Sequence, residues 1–386
     1  MEISESLQAG TAVAIREKAS RLFAVDALRG LCIVVMALDH ANHFVAQKHP
    51  PGEIWDGVFP VYYDALTFLT RLVTHLAAPG FFLLMGIGML LFARTRGERG
   101  WGRWAIMRHF WIRGLVLIAL QLLIVNRAWE LSPEGWGLDI YIGVLFALGG
   151  TMILGSLFLR LRPVYLLALT LVLFVGTELL HPGLGMWNAI SHDPVNVILI
   201  RPGGTPGLYA LYPVLPWLEL VTLGLLFGNW LADDPRRAYS RAWKLGLAFL
   251  AAFVVVRALD GFGNVRPRMG NSWIDFLNPV KYPPSMAFTL MTTGVNLILL
   301  WLFSRAGARA RQFLQVFVVF GQAPLFFYVL HLFLYAGMGY LVAPEGTSIP
   351  WMLPFWLLGL AILFPLCLWY GRFKRRQSPN SLLRFF

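Results

Sequence analysis

Three histidines of the 386-residue chain stand inside or beside long apolar runs: His40, His75 and His331. An ionisable side chain is costly in hydrocarbon, so each marks a candidate functional site, and imidazole suits proton transfer near neutral pH. Their depths agree. A helix entered at about residue 24 carries His40 roughly 24 Å along its axis at 1.5 Å per residue, which places it in the outer half of a bilayer. His43 is one turn further out. The next helix returns from about residue 69 and sets His75 one to two turns below the same surface. His331 follows Pro324 in a run directed outward, and Asp139 and Glu178 add carboxylates at that level. Helix packing does not require three helices to bring a histidine to one depth. His43, His109, His181 and His192, by contrast, read as packing or interfacial residues, with His109 alone toward the inner side. Asp26 and Arg29, spaced i and i+3, suit an ion pair near the inner interface as well as a functional pair.

The elements that must position these residues are membrane helices. Of the chain, 58% is hydrophobic and 13% charged, against about 25% charged in a soluble protein. Apolar windows of spanning length fall at about 24–45, 69–93, 107–126, 138–159, 163–181, 213–232, 243–259, 284–304, 313–342 and 350–371. Runs of this length favour helices over the alternating strands of a barrel. The expected fold is therefore an all-α integral membrane bundle of about ten helices, with a break at Gly321 and Pro324 in the long ninth window.

Basic residues orient the bundle, because Lys and Arg are retained on the cytoplasmic side. Placing both termini inside leaves 22 of the 32 Lys and Arg in inner segments, seven in outer ones and three (Arg29, Arg113 and Arg257) within spans. The expected segments are a cytoplasmic stretch 1–23, a membrane domain 24–371 and a basic cytoplasmic tail 372–386. The first 23 residues show no short apolar core with a small-residue cleavage site, so the first run is expected to remain as a helix. The net charge of +12 is dispersed between apolar runs, which argues for the bilayer and against nucleic acid as partner. Cys32 and Cys367 lie in apolar runs and read as buried small hydrophobes. Two outer segments, 182–212 and 260–283, are rich in Gly, Pro, Asn and Trp and are expected to fold back over the outer face. No internal repeat is evident, which weighs against an inverted-repeat transporter.

Several stretches carry a resemblance. Asp26-Ala27-Leu28-Arg29-Gly30, with His40 eleven residues after Arg29, is similar to the first-helix signature of the transmembrane acyltransferase superfamily. Lys48-His49, Trp55-Asp56-Gly57 and the run from His75 through Pro79 to Gly86 bring it closer to one branch, as do Lys281 to Ser285, Leu290 to Gly294 and Pro324 to His331. In this set of landmarks the chain resembles the catalytic domain of the heparan-α-glucosaminide N-acetyltransferase family and its bacterial relatives.

The resemblance implies a membrane acetyltransferase that passes the acetyl group of cytosolic acetyl-CoA to a sugar or glycan amine or hydroxyl at the outer face. It implies no metal. His49 corresponds by position to the family's catalytic first-loop histidine. His40 falls where the lysosomal enzyme has an asparagine and the wider superfamily a histidine, and His75 where the lysosomal enzyme has an aspartate. Thioester attack needs a base and a donor to the carbonyl oxygen. His40 or His49 is the candidate base or transient acyl carrier, and His331 or His75 the candidate orienting or oxyanion-binding group. Arg29, Arg103, Arg108 and Arg113 are the candidate cations for the CoA phosphates. The expected location is the bacterial cytoplasmic membrane, with a second copy of the chain as a further candidate partner. Two other readings stay open: a transporter or flippase of a polar solute with a histidine proton relay, and a bis-histidine haem or quinol protein.

Reporters fused after residues 98 and 240 should read cytoplasmic and one after residue 196 external. An external signal at 98 would overturn the depth argument.

Overall fold

The computed structural model describes residues 23–50, 52–56, 59–131, 140–181 and 193–377. They form a bundle of membrane helices. Helix α1 (23–41) ends in a single π turn, Asn42–Ala46. α2 (Ala65–Thr74) runs through His75 into α3 (Ala77–Gly97), and α4 (Arg103–Leu120) passes through a second π turn, Gln121–Val125, into the short α5 (Asn126–Glu130). Next come α6 (Val144–Leu157), α7 (Pro163–Leu179), the short α8 (Pro194–Leu199), α9 (Val214–Asp233) and α10 (Pro235–Leu259). The chain closes with α11 (Trp273–Phe276), α12 (Met286–Ser304), α13 (Ala308–Gln322), α14 (Pro324–Val342) and α15 (Ile349–Arg376).

Among the described residues, seven helical stretches are long and apolar enough to cross a membrane: Ala65–Gly97, Arg103–Glu130, Val214–Asp233, Pro235–Leu259, Met286–Ser304, Pro324–Val342 and Ile349–Arg376. α6 and α7 are apolar but shorter. The expected window 138–159 is helical only from Val144, and its described start is instead a strand, β1 (Ile140–Ile142). The ninth window is two helices. α13 begins at Ala308, the chain breaks at Ala323 (φ −128°, ψ 49°), and Pro324 opens α14 as its first residue. Proline has no N–H to give to a preceding turn but fits the first turn of a new helix, so one apolar run folds as two segments.

A small sheet caps the end opposite the arginine-rich loops. Its order is β1-β3-β2, with β3 (Leu208–Ala210) parallel to β1 and antiparallel to β2 (Gly203–Thr205); Tyr209 pairs with Tyr141 and with Gly204. Strands of three residues carry too little alternation to be visible in the sequence. At the same end Tyr282 accepts from Trp55 N at 2.8 Å and donates to Glu53 O at 3.1 Å, so the segment before α12 lies against the loop after α1.

Lipid cannot drive apolar helices together, so close packing must. A Cβ at Gly114 of α4 would lie 2.7 Å from Gly149 O of α6, and one at Gly246 of α10 would lie 2.8 Å from Gly294 O of α12. Large apolar side chains such as Leu123, Val172, Leu341 and Trp351 remain exposed on the outside of the bundle, as a lipid-facing surface requires. Cys32 and Cys367 are both buried.

The tightest crossing joins α1 to α13: a Cβ on Gly30 would overlap Phe317 O, and one on Gly321 would overlap Asp26 O. Gly30→Ala must push the two backbones apart, at a cost of about 1–3 kcal/mol. It should lower the melting temperature of the purified protein clearly more than Gly88→Ala, where an added Cβ meets open space.

Candidate active site

The C-terminal end of α1 presents two adjacent ionisable side chains, Asp39 and His40. Successive helical residues diverge by about 100°, so the two face different neighbours. His40 meets α14. Its Nδ1 lies 2.6 Å from His331 Nε2, and the rings stack with centroids 4.9 Å apart. His331 Nδ1 lies 3.0 Å from Phe327 O, the carbonyl one turn earlier. A carbonyl only accepts, so Nδ1 carries the His331 proton and, in the neutral ring, Nε2 is an acceptor. His40 Nδ1 must then be the donor, which leaves the lone pair of neutral His40 on Nε2. Trp129, with its ring 5.3 Å from His40, and Tyr328, at 6.4 Å, flank the pair.

Asp39 meets α2. Both its oxygens accept from Arg71 Nη1, at 2.6 and 2.8 Å, and Oδ1 also accepts from Thr74 Oγ1 at 2.7 Å. The same guanidinium grips Glu53: Nε donates to Oε1 at 2.9 Å and Nη2 pairs with Oε2. His75 Nε2 lies 3.0 Å from Glu53 Oε1. Arg71, Glu53 and His75 are each at most 1% exposed. Burial alone would raise the Glu53 pKa, but Arg71 and then His75 hold its carboxyl well below the ordinary value of 4.5. Lys281 is buried against the same cluster, and desolvation, reinforced by Arg71, pushes its ammonium down to about 8.

His49 reaches this cluster because the π turn ends at Gln47 in the left-handed region (φ 55°) and redirects the chain. Its Nδ1 lies 2.9 Å from Pro50 O and its Nε2 lies 3.5 Å from Asp39 Oδ2. His43 stands between the two groups, with its ring 5.7 Å from His49 and 4.9 Å from Trp129.

The four expected histidines therefore divide. His40 and His331 are in direct contact, His49 lies 3.5 Å from Asp39, the residue beside His40, and His75 is bound into the charge cluster through Glu53. Two imidazole nitrogens 2.6 Å apart leave no room between them for an iron, since axial haem ligation holds its two nitrogens about 4 Å apart. His109 stacks on Phe92 at 4.3 Å, and His181 lies 2.6 Å from Thr177 O. Asp139 and His192 lie outside the described residues.

The candidate arginines divide too. Arg29 donates to Asp26 at 2.7 Å and to Gly321 O at 3.1 Å. With Arg113 and Lys374 it lines a cavity of about 460 Å³ whose walls include Phe81, Met85 and Phe92 and which reaches Tyr328. The Tyr328 ring is 5.5 Å from that of His331. One cavity thus runs from the arginine-rich end to Tyr328, the neighbour of the histidine pair. Arg103 lines a different cavity, and Arg108 is exposed.

With this geometry in place, the sequence comparison is decisive. Residues 21–259, more than half of the chain, match the family model described as heparan-alpha-glucosaminide N-acetyltransferase, catalytic. The chain belongs to that family. Its relatives include the heparan-alpha-glucosaminide N-acetyltransferase of Mus musculus, 29% identical over 136 residues, which is 35% of this chain and 19% of the relative's length. The Homo sapiens protein of the same name is 27% identical over 131 residues, 34% of this chain and 18% of its own length. The matched stretch spans about a fifth of these curated relatives. In this member of the family, His40, His49, Glu53, Arg71 and His75 fall inside the matched region, while Lys281 and His331 fall beyond it and are brought to the same end of the bundle by folding.

Asp39, Glu53 and Arg71 were absent from the expected site. Asp39 had a signal, as a carboxylate in the apolar run beside His40. Arg71 stood near a helix start and read as one more outer-loop charge, and Glu53 stood in an irregular loop with no pattern around it.

Arg71→Met would leave two buried carboxylates facing each other without their cation, which costs about 3–5 kcal/mol. The melting temperature in detergent should fall accordingly, and by far less for the exposed Arg108→Met. Glu53 also sets an acid limit. Its pKa is depressed in the fold, so the unfolded chain takes up that proton first as pH falls below about 4.5, and stability present above that pH is lost below it. Glu53→Gln should flatten this acid decline while lowering stability at pH 7.

Proposed function

We propose that this protein is a multi-pass membrane acetyltransferase that takes acetyl from acetyl-CoA on the arginine-rich, cytoplasmic side and delivers it to an amine or hydroxyl of a sugar or glycan on the opposite side. The observation that carries the reading is a cavity that starts among cations and reaches Tyr328, the ring beside the His40–His331 pair. CoA is a polyanion, and its phosphates stay near Arg29, Arg113 and Lys374, because carrying them through hydrocarbon would be prohibitive. The thioester then reaches the histidines on an arm of about 15 Å, half of the roughly 30 Å hydrocarbon core. The largely apolar walls of the cavity suit that arm.

His40 Nε2 is the base. As the acceptor heteroatom attacks the thioester carbonyl carbon, Nε2 takes its proton, and the new imidazolium keeps Nδ1–H on His331. When the C–S bond breaks, the proton returns to the departing CoA sulfur, so the enzyme ends as it began. His331 acts through His40 by fixing its tautomer. His49, with Nε2 3.5 Å from Asp39 Oδ2, is the candidate donor to the carbonyl oxygen.

A transporter reading uses the same histidines as a proton relay, and the family match favours the acetyltransferase. Purified protein incubated with radiolabelled acetyl-CoA and a membrane extract should label a glycan or lipid-linked sugar without any gradient. His40→Ala should cut that transfer by about 10²–10⁴-fold with the fold intact, and His109→Ala should have little effect. Arg113→Gln should raise KM for acetyl-CoA more than it lowers kcat. In sealed vesicles, acetyl-CoA should be used only from the cytoplasmic face, with labelled acceptor on the other. Unchanged turnover in His40→Ala would remove its role as base, and use of both substrates from the cytoplasmic side would remove the crossing.

A further inference from the structure

A second, larger cavity of about 740 Å³ opens at the arginine-rich end, between the last turns of α3 and α9, the first turn of α4 and the link from α6 to α7. It is separate from the donor cavity. Along α3, Leu90, Ala93, Arg94 and Gly97 face this space, whereas Phe81, Met85, Gly88 and Phe92 face the other, and the two linings share no residue. At 100° per residue these are opposite stripes of one helix. The cavity has no contact with the histidine pair, so donor binding does not account for it.

Its chemistry is that of an anion site with an apolar floor. Arg94, Arg103, Arg160 and Arg162 line it, against two carboxylates, Glu98 and Asp233. Arg94 is committed to the protein, donating to Asn229 Oδ1 at 2.9 Å and standing 3.6 Å from Asp233. The exposed Arg103, Arg160 and Arg162 are left to face the cavity mouth. Two long helices also begin here. Gly102 before α4 provides no side-chain cap, so the first amides of α4 point their partial positive charge at this space, whereas α7 opens on Pro163, which has no N–H, and Tyr165 N donates to Arg162 O at 2.9 Å. Leu90, Ile106, Met107 and Leu157 continue inward from the cations. Topology alone would put arginines on this face, but not gather three of them with an uncapped helix start around one cavity.

We propose that this cavity binds a phosphate ester, held by Arg103, Arg160, Arg162 and the start of α4, at a site distinct from the acyl donor's. Phosphate matches both guanidinium forks and helix N-termini. The chemistry is shared by a phospholipid headgroup and by a soluble phosphate, and the apolar floor at the bilayer edge favours the lipid.

The test needs no acetyl transfer. The full chain, reconstituted in phosphatidylcholine vesicles, is titrated with phosphatidylglycerol in one arm and with soluble glycerol phosphate in another, and its melting temperature and retained lipid are followed. Phosphatidylglycerol should stabilise the wild type and co-purify with it. Each cation near a membrane surface contributes roughly 1 kcal/mol toward an anionic lipid, so Arg160→Gln combined with Arg162→Gln should weaken half-saturation by about 30-fold. Arg305→Gln with Arg309→Gln removes the same charge from another loop and should change it little. Saturation by glycerol phosphate in the same range would uphold the site and assign it to a soluble ligand. An equal loss in both double variants, or a phosphatidylglycerol response abolished by saturating acetyl-CoA, would overturn the proposal, the first by showing diffuse surface charge and the second by merging the cavity with the donor site.

Discussion

Arg71 lies buried between Asp39 of α1 and Glu53 of the following loop, and the outer architecture depends on that single guanidinium. Two carboxylates out of water repel each other and each is costly alone, whereas a planar cation with donors on two edges satisfies both. The consequence is geometric. α1 is fixed to α2 at the level of Asp39, and the irregular loop between them is fixed to both. Glu53 in turn holds His75, and its carbonyl pairs with Tyr282, so the segment leading into α12 is drawn to the same place. Glu53 is buried within the loop, so its carboxylate must be answered by protein.

That anchoring explains how one helix end serves two purposes. With Asp39 held by Arg71 and Thr74, the rotation of α1 about its axis is set, and His40 is directed at α14. The position of α14 depends on the break at Ala323, because a continuous helix from α13 would carry His331 elsewhere. The crossing of Gly30 and Gly321 holds α1 against the end of α13, just before the break that starts α14, and Arg29 fastens it by bonding Gly321 O. The histidine contact is thus determined from below by backbone proximity and from above by a charge cluster.

How much of this was legible in the sequence follows from the same physics. His40 and His331 stood out because ionisable groups are rare in apolar runs, and each could be assigned a depth from its own helix. Their direct contact was not legible, since depth fixes height but not the angle around the bundle. Arg29 and Arg113 were visible as charges within spans and line the cavity that reaches Tyr328, while Arg103, taken from the inner loops on charge alone, lines another and Arg108 is exposed. Glu53 was hidden because a loop has no period to mark a buried position, and its importance arises only from a guanidinium 18 residues later. The three short strands left no trace for a related reason: three residues cannot show alternation.

The split of the arginines carries a mechanistic constraint. A transfer across a membrane must keep the nucleotide of the donor on one side while its acetyl carbon reaches the other, so the two cannot share an open aqueous channel without leaking ions. The cavity from Arg29 and Arg113 to Tyr328 meets that demand by being cationic where it begins and apolar along its walls, with an aromatic side chain between its head and the histidine pair. A hydrophobic wall admits a thin, weakly polar arm and rejects hydrated ions, because only the ions lose strong hydration on entering. Tyr328, one turn before His331 on the same helix, is therefore placed so that any movement needed to admit the thioester is felt by the ring that sets the tautomer of His40. On the proposed reading, donor arrival and base orientation are coupled through α14 itself.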